Sequence, residues 1–381
     1  MYQMKSLRIL HVIPSLKKGG AERLCLEIVQ SLKRLSGVEA KLVMMRSVNE
    51  YIDEYSNIAP VIVKSKVIPS ILGKWQVELC EWETFVYDFK PDVIHSHLFE
   101  AEIMTRYRII KGVNYFTHCH DNMPQFKRLQ WNELLIKSRI TEAYERNFLI
   151  EQYKICKNQF IAISPDTEQF FKSNLPKTFE QNIIQMPNAI DHGRFSADTA
   201  SSPFGESEIR LINIGSFVEK KNQRFLLRVL LSLRKMGLNV TLTLIGDGPL
   251  RKQVQLEAIA LGLENHIKFT GSISRVESLL WDSHVYVHSA LYEPFGLVIL
   301  EAMAAGLPVV ALDGYGNREL HHNGMNGYLI KEVNENLFAT RVEDCIRNWS
   351  TWDFMHSYAL EYSKKYDIKS YVKDMLEVYQ K

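Results

Sequence analysis

Two glutamates stand eight residues apart, Glu293 and Glu301, within the stretch SALYEPFGLVILEAMAAGLPVVALDGYGNREL at 289–320. The pattern predicts a strand ending near Glu293, a Pro-Phe-Gly turn, and a helix that opens at Gly296 and Leu297 and carries Glu301 near its middle. The positive end of that helix, flanked by two carboxylates, suits phosphate oxygens. Upstream, Lys220 and Lys221 follow the strand INIG and its polar loop, where an ammonium can neutralise negative charge developing on a phosphate leaving group. In the first half, Gly19 and Gly20 lie between a strand and a helix. Residues without Cβ there let a ligand or an opposing domain approach the backbone, and helix N–H groups favour an anion. Neither GxGxxG nor GxxxxGK[ST] occurs, so a nicotinamide enzyme and a P-loop NTPase lose their principal sequence support.

His95 and His97 end the run PDVIHSH, and His118 and His120 lie in THCHD. Imidazoles two apart on a strand share a face, and these residue types can ligate zinc. No spacing demands that the two strand ends converge on an ion, so no metal site is expected. Asp313-Gly314-Tyr315-Gly316 reads as a loop after LPVVALD, its glycines permitting close backbone approach, with Asn317 or Arg318 able to add a polar contact. Residues 106–139 gather Arg106, Arg108, Lys111, Lys127, Arg128, Lys137 and Arg139 among aromatic and leucine residues. Such a patch fits anionic lipid headgroups or a polyprenyl-phosphate-linked acceptor; a solvated helical face is the other reading. It matches no nucleic-acid recognition motif.

These residues need a scaffold that brings distant segments together. At 381 residues, 46% hydrophobic, 24% charged and 11% aromatic, the chain is globular and long enough for two domains. Lys plus Arg at 46 against Asp plus Glu at 44 leaves a formal charge of +2 and no global field to recruit nucleic acid or membrane. Five dispersed cysteines without a CxxC pair fit a reducing cytoplasm. No apolar run approaches the roughly 20 residues needed to cross a bilayer, and the N-terminal one is too short for a signal peptide.

Leu7 to Ile13 reads as a buried strand followed by a helix over Ala21 to Leu35, with further short strands at Val38 to Met45, VIH, VNYFTHC, QFIAIS and IIQMPNA. Ser196 to Glu208 loses apolar periodicity and gathers Ser, Pro and Gly, the composition of a linker. Strand and helix then alternate again from IRLINIGSF, with helices expected at 223–237, 249–260, 274–281, 296–305 and 316–322. Two parallel α/β domains are the predicted architecture. The tail after Trp349 carries Trp352, Tyr358, Tyr362, Tyr366, Tyr371 and Tyr379 at helical spacing, which predicts terminal helices packed on the body.

With Glu293 and Glu301 in EPFGLVILE, LIGDGPL at 244–250, PNAID at 187–191 and the Gly-Gly loop, the chain resembles the retaining glycosyltransferases of the group-4 class. The resemblance covers nearly the whole chain. It implies the GT-B architecture, two Rossmann-like domains facing each other across a crevice. Residues 1–195 would bind the acceptor and 196–355 the nucleotide sugar, with 356–381 a helical tail packing back on the first domain.

The resemblance also implies roles. Glu293 would support the transferred sugar's hydroxyls and reacting centre, Glu301 the ribose, and the backbone around Phe295, Gly296 and Leu297 the diphosphate and sugar. His120 would reach the donor sugar. The family's Arg-x4-Lys element reads here as Ser216 and Lys221; Ser216 donates a hydrogen bond but no charge, leaving Lys221 the principal cation. No cofactor or metal is expected. The partners implied are a nucleotide sugar and a glycan or polyprenyl-diphosphate-linked acceptor in cell-surface glycan synthesis, such as lipopolysaccharide or capsule, at a cytoplasmic or peripheral inner-membrane location. A nucleotide-sugar epimerase and a non-catalytic sugar-nucleotide-binding module are the alternatives.

Overall fold

The computed structural model describes residues 6–70, 74–133, 135–196 and 202–381; residues 197–201 of the segment read as a linker lie outside these. The chain forms two units, one of residues 1–188 and 368–381, the other of 189–367.

The first unit is built on a seven-stranded sheet ordered Val61–Ile62, Val38–Met44, Leu7–Ile13, Val93–His97, Asn114–Cys119, Gln159–Ala162, Ile183–Gln185. Every pairing in it is parallel. Parallel strands covered on both faces must be apolar throughout, and the last five residues of Leu7–Ile13 are buried, His11 among them. The second unit repeats the plan with six parallel strands, ordered Ile267–Gly271, Val240–Ile245, Ile209–Ile214, Val285–His288, Val309–Leu312, Gly327–Ile330. In each unit the first strand lies between the second and a later one. The order therefore reverses beside it, and loops at the carboxyl ends splay apart there, the usual place for a ligand in such sheets.

The unit boundary falls at 188/189 rather than at 195/196. Ile190 N–H donates to the Tyr366 carbonyl at 2.9 Å, His192 Nε2 meets Ser363 Oγ at 3.2 Å, and Arg194 pairs with Glu277, so this short segment folds with the second unit. The tail divides at 367/368 rather than at 355/356. Helix Trp349–Ser363 stays with the second unit, where Trp352 Nε1 donates to the His284 carbonyl and Tyr362 Oη to the Glu319 carbonyl. Helix Ile368–Gln380 belongs to the first unit and buries Tyr371, Met375 and Tyr379. The helix expected at 316–322 is a single 3₁₀ turn, Arg318–Leu320. The Asn317 side chain ties the Gly314 N–H and the Leu312 carbonyl, and Asn326 takes the Leu320 carbonyl, so the backbone bonds a helix would use are already committed.

The basic stretch at 106–139 is not one face. Arg106 is fully buried, its Nε 3.5 Å from Glu102 and its guanidinium donating to the Phe116 carbonyl, Asn158, Thr105 and Ser96. Thr117 and Tyr153 hydroxyls donate to the same Glu102 carboxylate, which balances the buried charge. Arg139 is held by Glu133 and Glu142, and Arg108 by Glu83. Removing one partner of a buried, hydrogen-bonded ion pair leaves the other uncompensated. Arg106→Ala should therefore cost about 3–5 kcal/mol of stability, and Arg108→Ala, on an exposed pair, less than about 1 kcal/mol. Urea unfolding of both variants measures the difference; equal effects would contradict the buried placement.

Candidate active site

Three segments of the second unit meet at the carboxyl ends of its strands. After Ile209–Ile214, the Gly215 N–H donates to the Ile245 carbonyl and the Phe217 N–H to Asp247, anchoring the loop that carries Ser216 before the 3₁₀ turn Glu219–Lys221. The Ser289 hydroxyl donates to the Lys221 carbonyl and the Leu291 N–H to that of Lys220, which ties this turn to the chain leaving Val285–His288. The Lys221 ammonium lies 2.5 Å from Glu293 Oε2, and His288 Nε2 lies 3.0 Å from the same oxygen.

Glu293 is fixed from the other side by the loop read as glycine-rich. Its N–H donates to the Gly314 carbonyl and its carbonyl accepts from the Gly316 N–H. A Cβ on Gly316 would run into the Pro294 carbonyl, so the approach that pins Glu293 requires glycine. Burial alone would raise the Glu293 carboxyl. The Lys221 ammonium and the His288 imidazole outweigh it and hold that carboxyl well below the usual carboxylate range. Burial lowers His288, against the opposing pull of Glu293, so the imidazole is neutral and donates Nε2–H.

Gly296, at φ +104° in the left-handed region, caps helix Leu297–Ala304. The helix starts one residue later than the expected 296. Phe295 is buried against Tyr366, Leu297 is half-buried, and Glu301, on the helix's fifth residue, is closed to solvent. Ser216 and Lys220 are exposed, with the Lys220 ammonium over the Tyr292 ring. The structure thus brings Lys221 and Glu293 into contact, with His288 completing the cluster.

In the first unit, Gly19 caps helix Gly20–Leu32 in an extended conformation, and its N–H and carbonyl are both bonded to the Tyr51 hydroxyl at 2.9 Å. The Glu22 carboxylate crowds the space beside Gly19. An external anion at this helix end must therefore displace a carboxylate of the chain itself. His120 lies one residue beyond strand Asn114–Cys119, half-buried, with Nε2 2.7 Å from His97 Nδ1. Behind it stand His97, His11, His95 and His118, all fully buried.

Three further side chains have no site role in the sequence reading, Tyr379 being expected there only to pack a terminal helix on the body. His288 was signalled only as a polar residue closing an apolar strand. His11 sits inside LRILHVI at the register opposite His95, a pairing that becomes visible only when strand order is known. Tyr379 reaches His95 from the last helix, at 2.5 Å.

Burial, reinforced by neighbouring imidazoles, lowers His11 to about 3; burial takes His118 to about 4 and His95, His97 and His120 well below the usual value. Below pH 6.5 the unfolded chain takes up protons that the folded one refuses, so stability is full above about pH 7 and falls with acidification toward pH 4. Each such histidine contributes a slope of about 1.4 kcal/mol per pH unit within that window. Urea titrations between pH 8 and 4.5 should show net proton uptake of more than one on unfolding, reduced in His118→Gln. A flat profile would mean that the row is charged when folded.

Residues 18–194 match the family described as Glycosyltransferase Family 4, and residues 195–362 match that described as Glycosyl transferases group 1. EpsF of Bacillus subtilis (strain 168), named as a glycosyltransferase, is 26% identical over 325 residues, 80% of this chain and 79% of its own. The crystal structure of Anabaena HepE in complex with UDP and glucose is similar with a TM-score of 0.76 at 20% identity, over 99% of both chains. That of WaaG, a glycosyltransferase involved in lipopolysaccharide biosynthesis, gives 0.71 at 16% identity, over 97% of this chain and 99% of its own. At these identities the two structures speak for the fold, which is that of the GT-B enzymes. With contiguous matches running from residue 18 to 362 and two parallel α/β units behind them, the chain belongs to the group 1 and family 4 glycosyltransferases.

Proposed function

We propose that this glycosyltransferase moves a sugar, with retention at the anomeric carbon, from a nucleoside-diphosphate sugar to the hydroxyl of a cell-surface glycan precursor. The observation that carries the reading is the buried Lys221–Glu293–His288 cluster at the carboxyl ends of the second unit's strands. Glu293 accepts hydrogen bonds from the sugar's hydroxyls and stabilises the cationic anomeric centre, while Lys221 supports the departing diphosphate. Its ammonium is already engaged by Glu293, so phosphate oxygens compete for it, and the family's arginine, which would share the load, is Ser216 here. Lys220, Ser216 and the backbone at Phe295, Gly296 and Leu297 supply the remaining donors. Glu301 holds the ribose, which requires residues now covering it to move.

The bond from the anomeric carbon to the diphosphate oxygen breaks as the bond to the acceptor oxygen forms on the same face, and the acceptor's proton passes to the leaving diphosphate. His120 is assigned, on the family resemblance alone, a supporting hydrogen bond to the sugar. Lys221 provides the cationic help in this scheme, so transfer should persist in EDTA. The UDP and glucose bound to HepE favour a uridine donor, and the likeness to WaaG favours a lipopolysaccharide-like acceptor.

A screen of nucleotide sugars by thermal shift, followed by transfer to lipid-linked and soluble acceptors, identifies the pair. With that pair, Glu293→Gln should lower turnover by about 10²-fold or more while the protein stays folded. Unchanged turnover removes Glu293 from the mechanism, and donor consumption without any acceptor would favour the epimerase.

Among the described residues no helix is long and apolar enough to cross a membrane. We assign peripheral contact to the segment around Trp131 and Leu135, which are 91% and 98% exposed beside the exposed Lys127, Arg128 and Lys137. Vesicles rich in anionic lipid should sediment the protein, and Lys127→Ser with Arg128→Ser together should weaken that binding roughly thirtyfold. Equal binding to neutral vesicles would reject the assignment.

A further inference from the structure

The five histidines of the first unit form ordered stacks. Parallel register sets His11 opposite His95 and His97 opposite His118, and the rings stack, His95 on His97 at 4.8 Å and 9°, His118 on His120 at 4.1 Å and 13°. Hydrogen bonds run from ring to ring. His120 Nε2 is 2.7 Å from His97 Nδ1, His97 Nε2 is 2.9 Å from His11 Nδ1, His11 Nε2 is 3.5 Å from the Tyr379 hydroxyl, and that hydroxyl is 2.5 Å from His95 Nδ1. One chain therefore links five side chains, with His120 Nδ1 at one end and His95 Nε2 at the other.

A neutral imidazole has one N–H and one lone pair, so each bond in such a chain fixes the direction of the next. Two directions run unbroken through all four bonds; a third arrangement breaks at Tyr379, whose oxygen accepts from both His11 and His95 while its O–H goes to the Met375 sulfur. In one of the unbroken directions, His95 carries its proton on Nε2, which is buried and has no hydrogen-bond partner among the described residues. A buried orphan donor is rarer in folded proteins than an under-used acceptor. In the other, His95 Nδ1–H donates to the Tyr379 oxygen, Tyr379 O–H to His11 Nε2, His11 Nδ1–H to His97 Nε2, and His97 Nδ1–H to His120 Nε2. The Met375 sulfur, 3.0 Å from the Tyr379 oxygen, is the weaker acceptor for that hydroxyl proton.

We propose that this chain, anchored by Tyr379, locks His120 as its Nδ1–H tautomer, so that His120 meets the substrate as a hydrogen-bond donor to a sugar oxygen and not as a base. His97, His11 and Tyr379 are positioning residues. The functional half of this inference rests on the proposed role of His120; the tautomer itself does not. A metal is the rival use of these side chains, since nitrogens of His95, His97 and His118 lie within 4.8 Å of one another. Both nitrogens of His97 are already engaged, however, and nearly parallel rings direct their lone pairs along lines that do not converge.

Long-range ¹H–¹⁵N correlation spectra of ¹⁵N-histidine-labelled protein read which nitrogen of each ring is protonated, with single His→Gln variants for assignment. His11, His97 and His120 should all show protonated Nδ1 and bare Nε2. Tyr379→Phe keeps the ring and removes the hydroxyl, and should raise the Nε2–H population of His120 roughly fivefold, the worth of one hydrogen bond. Protonated Nε2 on His120 in the unmodified protein overturns the proposal, as do tautomers unmoved in a folded Tyr379→Phe variant. Stoichiometric zinc shifting the His95, His97 and His118 nitrogens together also overturns it. Should that variant fail to fold, the spectrum of the unmodified protein alone decides. His120→Asn in the transfer assay tests the donor-sugar role separately: normal turnover there removes the role while leaving the tautomer result intact.

Discussion

A carboxylate shut away from water must be paired or neutralised, and in the second unit that requirement organises the site around Glu293. Its charge persists because an ammonium and an imidazole N–H converge on one oxygen. Those partners come from different places, Lys221 from the turn after the first strand and His288 from the end of another. The pair is therefore only as well placed as the loops that carry it. The Ser289 hydroxyl and the Leu291 N–H donating onto the 219–221 turn, and the backbone bonds between Glu293 and Gly314 and Gly316, supply that placement. Glycine at 316 is part of the electrostatics, because any side chain there would push the Glu293 segment away from its cation.

Much of this scaffold could be read from the chain. Parallel strands buried on both faces leave short apolar runs, and those runs located the sheets. The glutamate spacing located the helix Leu297–Ala304 because strand end, turn and helix are local features. What was hidden depends on contacts distant in sequence. Arg106 looks like its basic neighbours until Glu102, one helical turn earlier, and Asn158, across the sheet, are seen to enclose it. The composition shift after 195 and the packing boundary at 188/189 are different features, because Ser, Pro and Gly mark where periodicity stops, whereas the units divide where packing changes, and residues 189–195 pack before the composition shifts. The His11 and Tyr379 contacts needed the strand order and the final helix's position, neither of which a single strand encodes.

The two units solve the problem of polar groups in a dry interior differently. The histidine row of the first unit stays neutral, and its order lies in the direction of its hydrogen bonds. A neutral chain can present an N–H without placing charge beside a sugar. The second unit keeps a separated pair of charges, and a separated pair responds to a third. In the proposed transfer, an arriving diphosphate would draw Lys221 toward its oxygens and weaken its hold on Glu293. That carboxylate would then become more basic and a better hydrogen-bond acceptor as the leaving group is engaged. Within that proposal Ser216, standing where the family pattern has arginine, matters most. A second fixed cation would bind the phosphates without disturbing the pair, whereas a single shared lysine would couple leaving-group binding to the strength of the carboxylate.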